Sequence, residues 1–303
     1  MLLSFYAMGK QRLYFLLFLG LLLFCNCYSI EKKIHQGIIR NCPVNNYWSN
    51  FNFSDPSWTQ KPKNLERIII RYIQGLDHCD SKSANESLKS TIIRVEKEGT
   101  ENIYKLFLEL FRKYLYDPNS PFRNDEYYIP IVEHVIQDGT SSSTDKERAR
   151  FNLAVLQKNC IGRKANDFTY NLSSGKTGSL SQIKSDYTLL MFYNPDCHAC
   201  EETIQNIKKS YPINSLLKEG KIKILAVYPD SNLEIWKKHF KDIPSEWINS
   251  YDLQQRIEKN RLYDLKAIPT LYLLDKEKKV ILKDADFPAL EKWISQNIVN
   301  KSD

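Results

Sequence analysis

An apolar run, Tyr187–Tyr193 (YTLLMFY), stops just short of Cys197-His198-Ala199-Cys200, and the next residues, Glu201–Lys208, have helical character. A fully apolar segment of this length reads as a central strand covered on both faces. The chain must therefore leave a buried strand, turn through Asn194-Pro195-Asp196, and start a helix at Cys197. Backbone N–H groups at a helix N-terminus lack intrahelical partners and favour a negative sulfur. A free cysteine ionises at roughly 8.5, and such surroundings bring it to ~7 or lower. The two-residue spacing lets Cys200 reach back to Cys197 on the same turn. Cys197 is then the candidate nucleophile toward a disulfide, and Cys200 the candidate resolving thiol.

The flanks tune this pair in opposite directions. His198 can carry positive charge and favour a thiolate, whereas Asp196 disfavours a second negative charge beside it. Half of a zinc site and an inert structural disulfide are the competing readings of the spacing. Zinc needs two further ligands, usually a second close pair, and the sequence offers none. No metal and no cofactor beyond the Cys197–Cys200 couple are expected.

Three more short apolar segments, Ile222–Tyr228, Thr270–Leu274 and Val280–Leu282, join Tyr187–Tyr193 in a set of four strands. Helical patterns follow Cys197 and recur around Leu233–Phe240, Leu253–Tyr263 and Phe287–Ile298. This alternation predicts a mixed sheet flanked by helices. Pro269 stands at the head of the strand Thr270–Leu274. A proline there is explained if the Ile268–Pro269 bond is cis and closes a loop, or if it is an ordinary edge-strand proline.

The half before Cys160 has a different period. Apolar residues recur at helical steps in Leu65–Ile73, Leu88–Val95, Ile103–Phe111, Ile131–Ile136 and Leu153–Leu156. Gly75 reads as a helix stop, and Thr144-Asp145-Lys146-Glu147 has capping-box spacing. Residues 30–64 read as a loop-rich lead-in whose rings, Tyr47, Trp48, Phe51, Phe53 and Trp58, pack onto something. Asp117–Tyr128 reads as a long connection pinned by prolines and aromatics, with surface recognition as the other reading. Gly139–Thr144 is the most linker-like stretch. The expected plan is a leader (1–27), an all-α domain (28–160) and an α/β domain (161–303).

Lys10 and Arg12 precede an apolar run from Leu13 to Phe24, the pattern of a secretory signal. The run is too short to span a bilayer comfortably as a helix. Cleavage after Cys27 is expected. A lipoprotein acylated at Cys25 or Cys27 is the alternative, although Phe24 and Asn26 are poor neighbours for that processing, and an uncleaved anchor is a third reading. Export places the chain in the periplasm or cell envelope, where disulfides persist. Of seven cysteines, Cys42, Cys79, Cys160, Cys197 and Cys200 lie beyond the leader, an odd number. Cys42 and Cys79 could bridge, and Cys160 reads as a buried thiol or a third redox partner. Asp77-His78-Cys79-Asp80 reads as a polar turn in preference to a ligand set. His134 reads as a core-boundary residue, and Trp236, Trp247 and Trp293 as core or core edge. The net charge of +7 comes without a dense basic cluster, so nucleic acid is not expected as a partner.

With the dithiol after a strand, Ala267-Ile268-Pro269-Thr270 before another, and the entry segment Asp167-Phe168-Thr169-Tyr170, residues 164–300 resemble the thioredoxin superfamily, and in particular its exported TlpA-like branch. The resemblance implies a cis-proline loop facing the dithiol, with Ile268 and Pro269 placing substrate. It implies protein thiols and disulfides as partners, with an upstream electron donor or acceptor. Three departures stand out, the first being that the dithiol lacks the tryptophan and Gly-Pro of thioredoxin itself. Thioredoxin's buried aspartate is replaced by Met191. The glutamate common in exported relatives is replaced by Thr203, with Glu201 and Glu202 close by. A peroxiredoxin is disfavoured, because the threonine three residues before its reactive cysteine is Asn194 here. In the other half, Tyr47-Trp48-Ser49-Asn50-Phe51, Tyr114–Pro121 and Arg123–Tyr128 resemble DUF5106, a helical domain of no known function found ahead of thioredoxin-like domains in envelope proteins of Bacteroidetes-type bacteria. The reading is an envelope thiol–disulfide oxidoreductase. Its rival is a non-catalytic binding protein whose helical domain recognises a partner and whose cysteine pair is structural.

Overall fold

The computed structural model describes residues 42–299, so the leader and any acylated cysteine lie outside the described residues. Helices occupy the first half: α1 (Ser57–Gln60), α2 (Pro62–Leu76), α3 (Ser81–Glu98), α4 (Glu101–Phe111), α5 (Asp125–Gln137) and α6 (Ser143–Leu156), with a π-helical turn over Arg112–Tyr116. Their apolar faces close one core around Leu65, Ile69, Tyr72, Leu88, Ile92, Phe107 and Phe111. Burying each such side chain contributes about 1.5–3 kcal/mol. The lead-in rings do pack onto that core: Trp48 and Phe53 are buried, and each lies 5.7 Å from the Phe107 ring.

Side-chain caps start four of these helices. Asp80, Thr100, Asn124 and Ser142 each accept an N–H from the first turn of α3, α4, α5 and α6. Three details correct the sequence reading. The cap of α6 is Ser142, whose hydroxyl accepts the Asp145 N–H, and not Thr144. Helix α2 runs one residue past Gly75 to Leu76. The connection after Asp117 ends at Asn124, because that asparagine caps α5 and commits Asp125–Tyr128 to helix. Gly139–Thr144 holds the turn between α5 and α6, inside the helical half. Cys42 and Cys79 form a disulfide, which ties the first described residue to the turn after α2.

The second half adds β1 (Thr169–Leu172), β2 (Thr177–Ser179), β3 (Tyr187–Phe192), α7 (His198–Lys209), α8 (Tyr211–Lys218), β4 (Ile222–Tyr228), α9 (Leu233–Lys238), β5 (Ile248–Tyr251), α10 (Arg256–Lys259), β6 (Thr270–Leu274), β7 (Val280–Ala285) and α11 (Phe287–Asn297). Seven strands form one mixed sheet in the order β2-β1-β5-β4-β3-β6-β7. β3 runs parallel to β4 and antiparallel to β6, with Met191 opposite both Ala226 and Leu271. Alternation splits the sheet into two cores. Leu189, Met191, Ile224 and Leu273 meet residues of α7, α8 and α11. Leu190, Phe192, Leu225 and Leu274 meet Phe168, Tyr170 and Tyr263 on the other face.

Three strands were not among the four expected, and β5 shows why. Its sequence INSY is short and polar, yet its polar groups are used inside: Asn249 Oδ1 accepts from Tyr193 and Trp236, and Ser250 donates to the Ala226 carbonyl. The helix expected over Leu253–Tyr263 shrinks to α10. Asp252 closes a turn onto Gln255, which has a left-handed φ of 52°, and the Asp252 carboxylate caps the N–H of Ile257. Trp236 and Trp247 are buried and Trp293 is partly buried against the same core.

Charged groups join the halves. Lys266 Nζ lies 2.6 Å from Asp125 and 3.0 Å from Asp264, over the Tyr116 ring. Burial alone would lower the Lys266 pKa, but the two carboxylates raise it. Arg123 reaches Asp284 at 2.7 Å. Lys283 donates to the carbonyls of Leu156 and Lys158, and Asn159 donates to that of Leu262.

Two outcomes follow. Replacing Cys42 and Cys79 by serine frees a loop closed over 37 residues and should lower stability by about 2–4 kcal/mol, read as an earlier thermal transition in far-UV circular dichroism. Burial pushes the Asp284 carboxyl up to about 7, against the pull of Arg123. A folded-state value above the unfolded one means that the bound proton stabilises the fold at low pH, and this contribution is lost as pH rises through about 7. Asp284→Asn should therefore flatten the fall in melting temperature between pH 5 and pH 8; curves parallel to the wild type would contradict this.

Candidate active site

β3 delivers the chain to the rim of the sheet, and Asn194 folds it back. The Asn194 side-chain oxygen accepts the Asp196 N–H at 3.0 Å, and its carbonyl accepts the Cys197 N–H at 3.1 Å. Its side-chain nitrogen donates to Asp230, just beyond β4, at 2.7 Å. With the turn held this way, Cys197 becomes the N-cap of α7. Its sulfur accepts the Cys200 N–H at 3.3 Å, the place a serine or aspartate oxygen takes at other helices.

The two cysteines are unlike. Cys197 is partly exposed, while Cys200 is fully buried against the α7 face of the sheet. Burial, with hydrogen bonding to Cys197 next in size, pushes the Cys200 thiol far above the usual range. The Asn194 N–H, 3.5 Å from the Cys200 sulfur, acts in the opposite sense. The Ile268–Pro269 bond is cis, and the Ile268 carbonyl lies 3.5 Å from the Cys197 sulfur. Cys197, Cys200 and Ile268 thus meet at one point, reached from α7 and from the loop before β6.

The flanking residues are more loosely placed. His198 is exposed on the first turn of α7. Asp196 is also exposed, and its carboxylate lies 3.7 Å from His239, which pairs with Asp242 at 2.8 Å. His239 and Asp230 are site neighbours that the sequence reading did not name, while Asn194 was read there as part of the turn before Cys197. Asn194-Pro195-Asp196 carried a local signal, since Asn before a two-residue step often makes such a turn. His239 and Asp230 arrive from distant segments and carried none.

Met191 is buried in β3 and Thr203 half-buried on α7, and the polar contacts of Cys200 are with Cys197 and Asn194. Cys160 is buried at the junction of the halves, donates to the Gln157 carbonyl at 3.2 Å, and has its pKa raised by burial. Cys79 is engaged in the disulfide and Asp80 in capping α3. Among the described residues, no three His, Cys, Asp or Glu side chains stand together as a metal-binding group.

A family model described as a domain of unknown function, DUF5106, matches residues 43–159, and one described as thioredoxin-like matches residues 185–280. The crystal structure of a thioredoxin-like protein from Bacteroides caccae ATCC 43185 is 44% identical, covers 84% of this chain and 91% of that one, and superposes with a TM-score of 0.80. The chain belongs to the thioredoxin-like proteins. Among curated relatives, the thiol-disulfide oxidoreductase ResA of a Bacillus cereus strain is 28% identical over 137 residues, 43% of this chain and 73% of that protein. The same-named protein of Bacillus anthracis is 28% identical over 135 residues, 43% of this chain and 72% of that protein. The similarity to the Bacteroides caccae protein spans both halves, so the helical domain and the thioredoxin-like domain occur together in a relative.

The asymmetry of the two thiols is open to direct test. In the reduced, folded protein at pH 8, iodoacetamide should label Cys197 while Cys200 and Cys160 stay protected, and all three should react after denaturation. Peptide mapping by mass spectrometry reads the sites; labelling of Cys200 as fast as Cys197 would contradict the burial argument.

Proposed function

We propose that this thioredoxin-like chain is a thiol–disulfide oxidoreductase of the cell envelope, acting on protein thiols and disulfides through Cys197 and Cys200. The observation that carries the reading is the position of the Cys197 sulfur, which caps α7 through the Cys200 N–H and faces the Ile268 carbonyl across the active-site rim. The kinship with proteins named thiol-disulfide oxidoreductase supports the same class of enzyme. Envelope location rests on the leader pattern of Lys10, Arg12 and Leu13–Phe24. The Cys42–Cys79 disulfide agrees with an oxidising compartment. Among the described residues, no helix is long and apolar enough to cross a membrane.

In the reducing direction, the Cys197 thiolate attacks one sulfur of a substrate disulfide. That bond breaks, the departing sulfur leaves as a thiolate and takes a proton, and a mixed disulfide joins Cys197 to the substrate. Cys200 then loses its proton and attacks the Cys197 sulfur, which releases the second substrate sulfur. The substrate gains two electrons and two protons, and the enzyme is left with a Cys197–Cys200 disulfide. The oxidising direction is the same sequence reversed. Asn194 holds the turn that presents Cys197, and the Ile268-Pro269 loop lies where the substrate backbone must pass. His198 and Asp196 set the local charge from the solvent side.

Cys200→Ser leaves Cys197 able to attack and removes the group that resolves the product. Expressed with its leader, this variant should accumulate mixed disulfides with envelope proteins, visible as reductant-sensitive bands on a non-reducing gel and absent from the Cys197→Ser/Cys200→Ser variant. A clean lane from Cys200→Ser under oxidising conditions would count against the enzyme reading.

A further inference from the structure

A cavity of about 310 Å³ lies between the helical domain and the thioredoxin-like domain, and Ile268 forms part of its wall. Ile268 therefore borders both this cleft and the Cys197 sulfur, which its carbonyl meets at 3.5 Å. The opposite wall belongs to the helical domain, where α6 contributes Phe151 and Asn152. Phe151 is unusual on this polar helix: its side chain is 52% exposed, and the Arg261 guanidinium lies 3.9 Å over its ring. An apolar ring held half open in the cleft that Ile268 shares offers a contact to whatever enters it.

The charges in the cleft have a sign. Asp230, Glu258 and Asp264 line it, against the single cation Arg261. Asp264 is already matched by Lys266. Asp230 takes only a neutral amide, from Asn194, and Glu258 has no cation within ion-pair distance among the described residues. Negative charge remains on the thioredoxin-like wall next to Ile268, and it favours a basic visitor.

We infer that this interdomain cleft is a recognition site for an extended segment of the substrate protein, in which a lysine or arginine and an apolar side chain lie within a few residues of the reacting cysteine. The inference rests on the oxidoreductase reading and gives the helical domain a part in it. An extended chain advances about 3.3 Å per residue. A substrate whose cysteine meets Cys197 must pass Ile268, and its next residues then enter the cleft. The basic side chain lies toward Glu258 and Asp230, and the apolar one against Phe151. Lys266 steadies this arrangement, since it is held by Asp125 of the helical domain and lies two residues before Ile268.

The test needs no redox step. A fluorescein-labelled peptide with serine in place of the central cysteine, flanked by lysine and leucine, is titrated with the full chain and followed by anisotropy. A second peptide carries glutamate in place of lysine, and a third carries glutamine. The lysine peptide should bind about tenfold more tightly than the glutamate peptide, and the difference should shrink with salt. Phe151→Ala should weaken binding of the lysine peptide about fivefold, and Phe151→Tyr, which keeps the ring, should restore it. Glu258→Gln should narrow the gap between lysine and glutamate peptides and leave the glutamine peptide unchanged. Equal affinity for the three peptides, no binding by the wild type, or indifference to Phe151→Ala would overturn the cleft assignment. The enzyme reading stands or falls separately, on trapping by Cys200→Ser.

Discussion

A helix that begins at the end of a buried strand needs an acceptor for its first free N–H groups, and here that acceptor is sulfur. Cys197 takes the Cys200 N–H as other N-caps take one on oxygen. The arrangement works only because β3 is fixed in register between β4 and β6, with Phe192 opposite Val227 and Thr270. Those two neighbours bring the remaining parts to the same rim. β4 runs out into Asp230, which holds Asn194, and β6 is entered through Ile268 and Pro269, where the Ile268 carbonyl meets the Cys197 sulfur. The site is thus a consequence of three adjacent strand ends.

The helical domain touches this rim through charge. Asp125 sits at the start of α5 with only 3% of its side chain exposed, and Lys266, on the segment leading to Ile268, is its cation. A carboxylate so buried requires a partner, and removing the partner is far more costly than the pair is stabilising. The contact therefore fixes how the two halves meet more than it strengthens them. Arg123 and Asp284 make a second such contact close by, in which burial dominates and the carboxyl retains its proton to near neutrality. The first contact ties the start of α5 to the segment that leads to Ile268, and the second ties Arg123, just before α5, to β7.

What the sequence disclosed depended on how local the causes were. The strand Tyr187–Tyr193 and the helix opening at Cys197 were legible because each is written in neighbouring residues, whereas at Ile268–Pro269 the residues alone allowed a cis bond or an ordinary edge proline and the family resemblance implied the cis form. Helices α2 to α4 were legible from spacing, since every third or fourth residue enters one core. β5 was not, because Asn249 and Ser250 look exposed until Tyr193, Trp236 and the Ala226 carbonyl are found around them. The helix expected through Leu253 failed for a local reason: Asp252 binds its own downstream backbone and delays the helix to Arg256. At the site, the two cysteines and the proline were recoverable, but Asp230, His239 and the Phe151 wall come from segments that only folding brings close.

Met191 and Thr203 put no carboxylate at their positions, so what governs the Cys200 proton is read from the contacts of that thiol. Three causes hold that proton: burial, the hydrogen bond to Cys197, and the charge of Cys197. Only burial is permanent. Once Cys197 is bound to a substrate sulfur it carries no charge and no longer competes for the proton, so two of the three causes vanish together. The Asn194 N–H, which favours the Cys200 thiolate, remains in place. Cys200 is therefore easier to ionise in the mixed disulfide than in the free dithiol. On the proposed mechanism, forming the first bond removes two of the causes that hold the Cys200 proton and so favours the second attack.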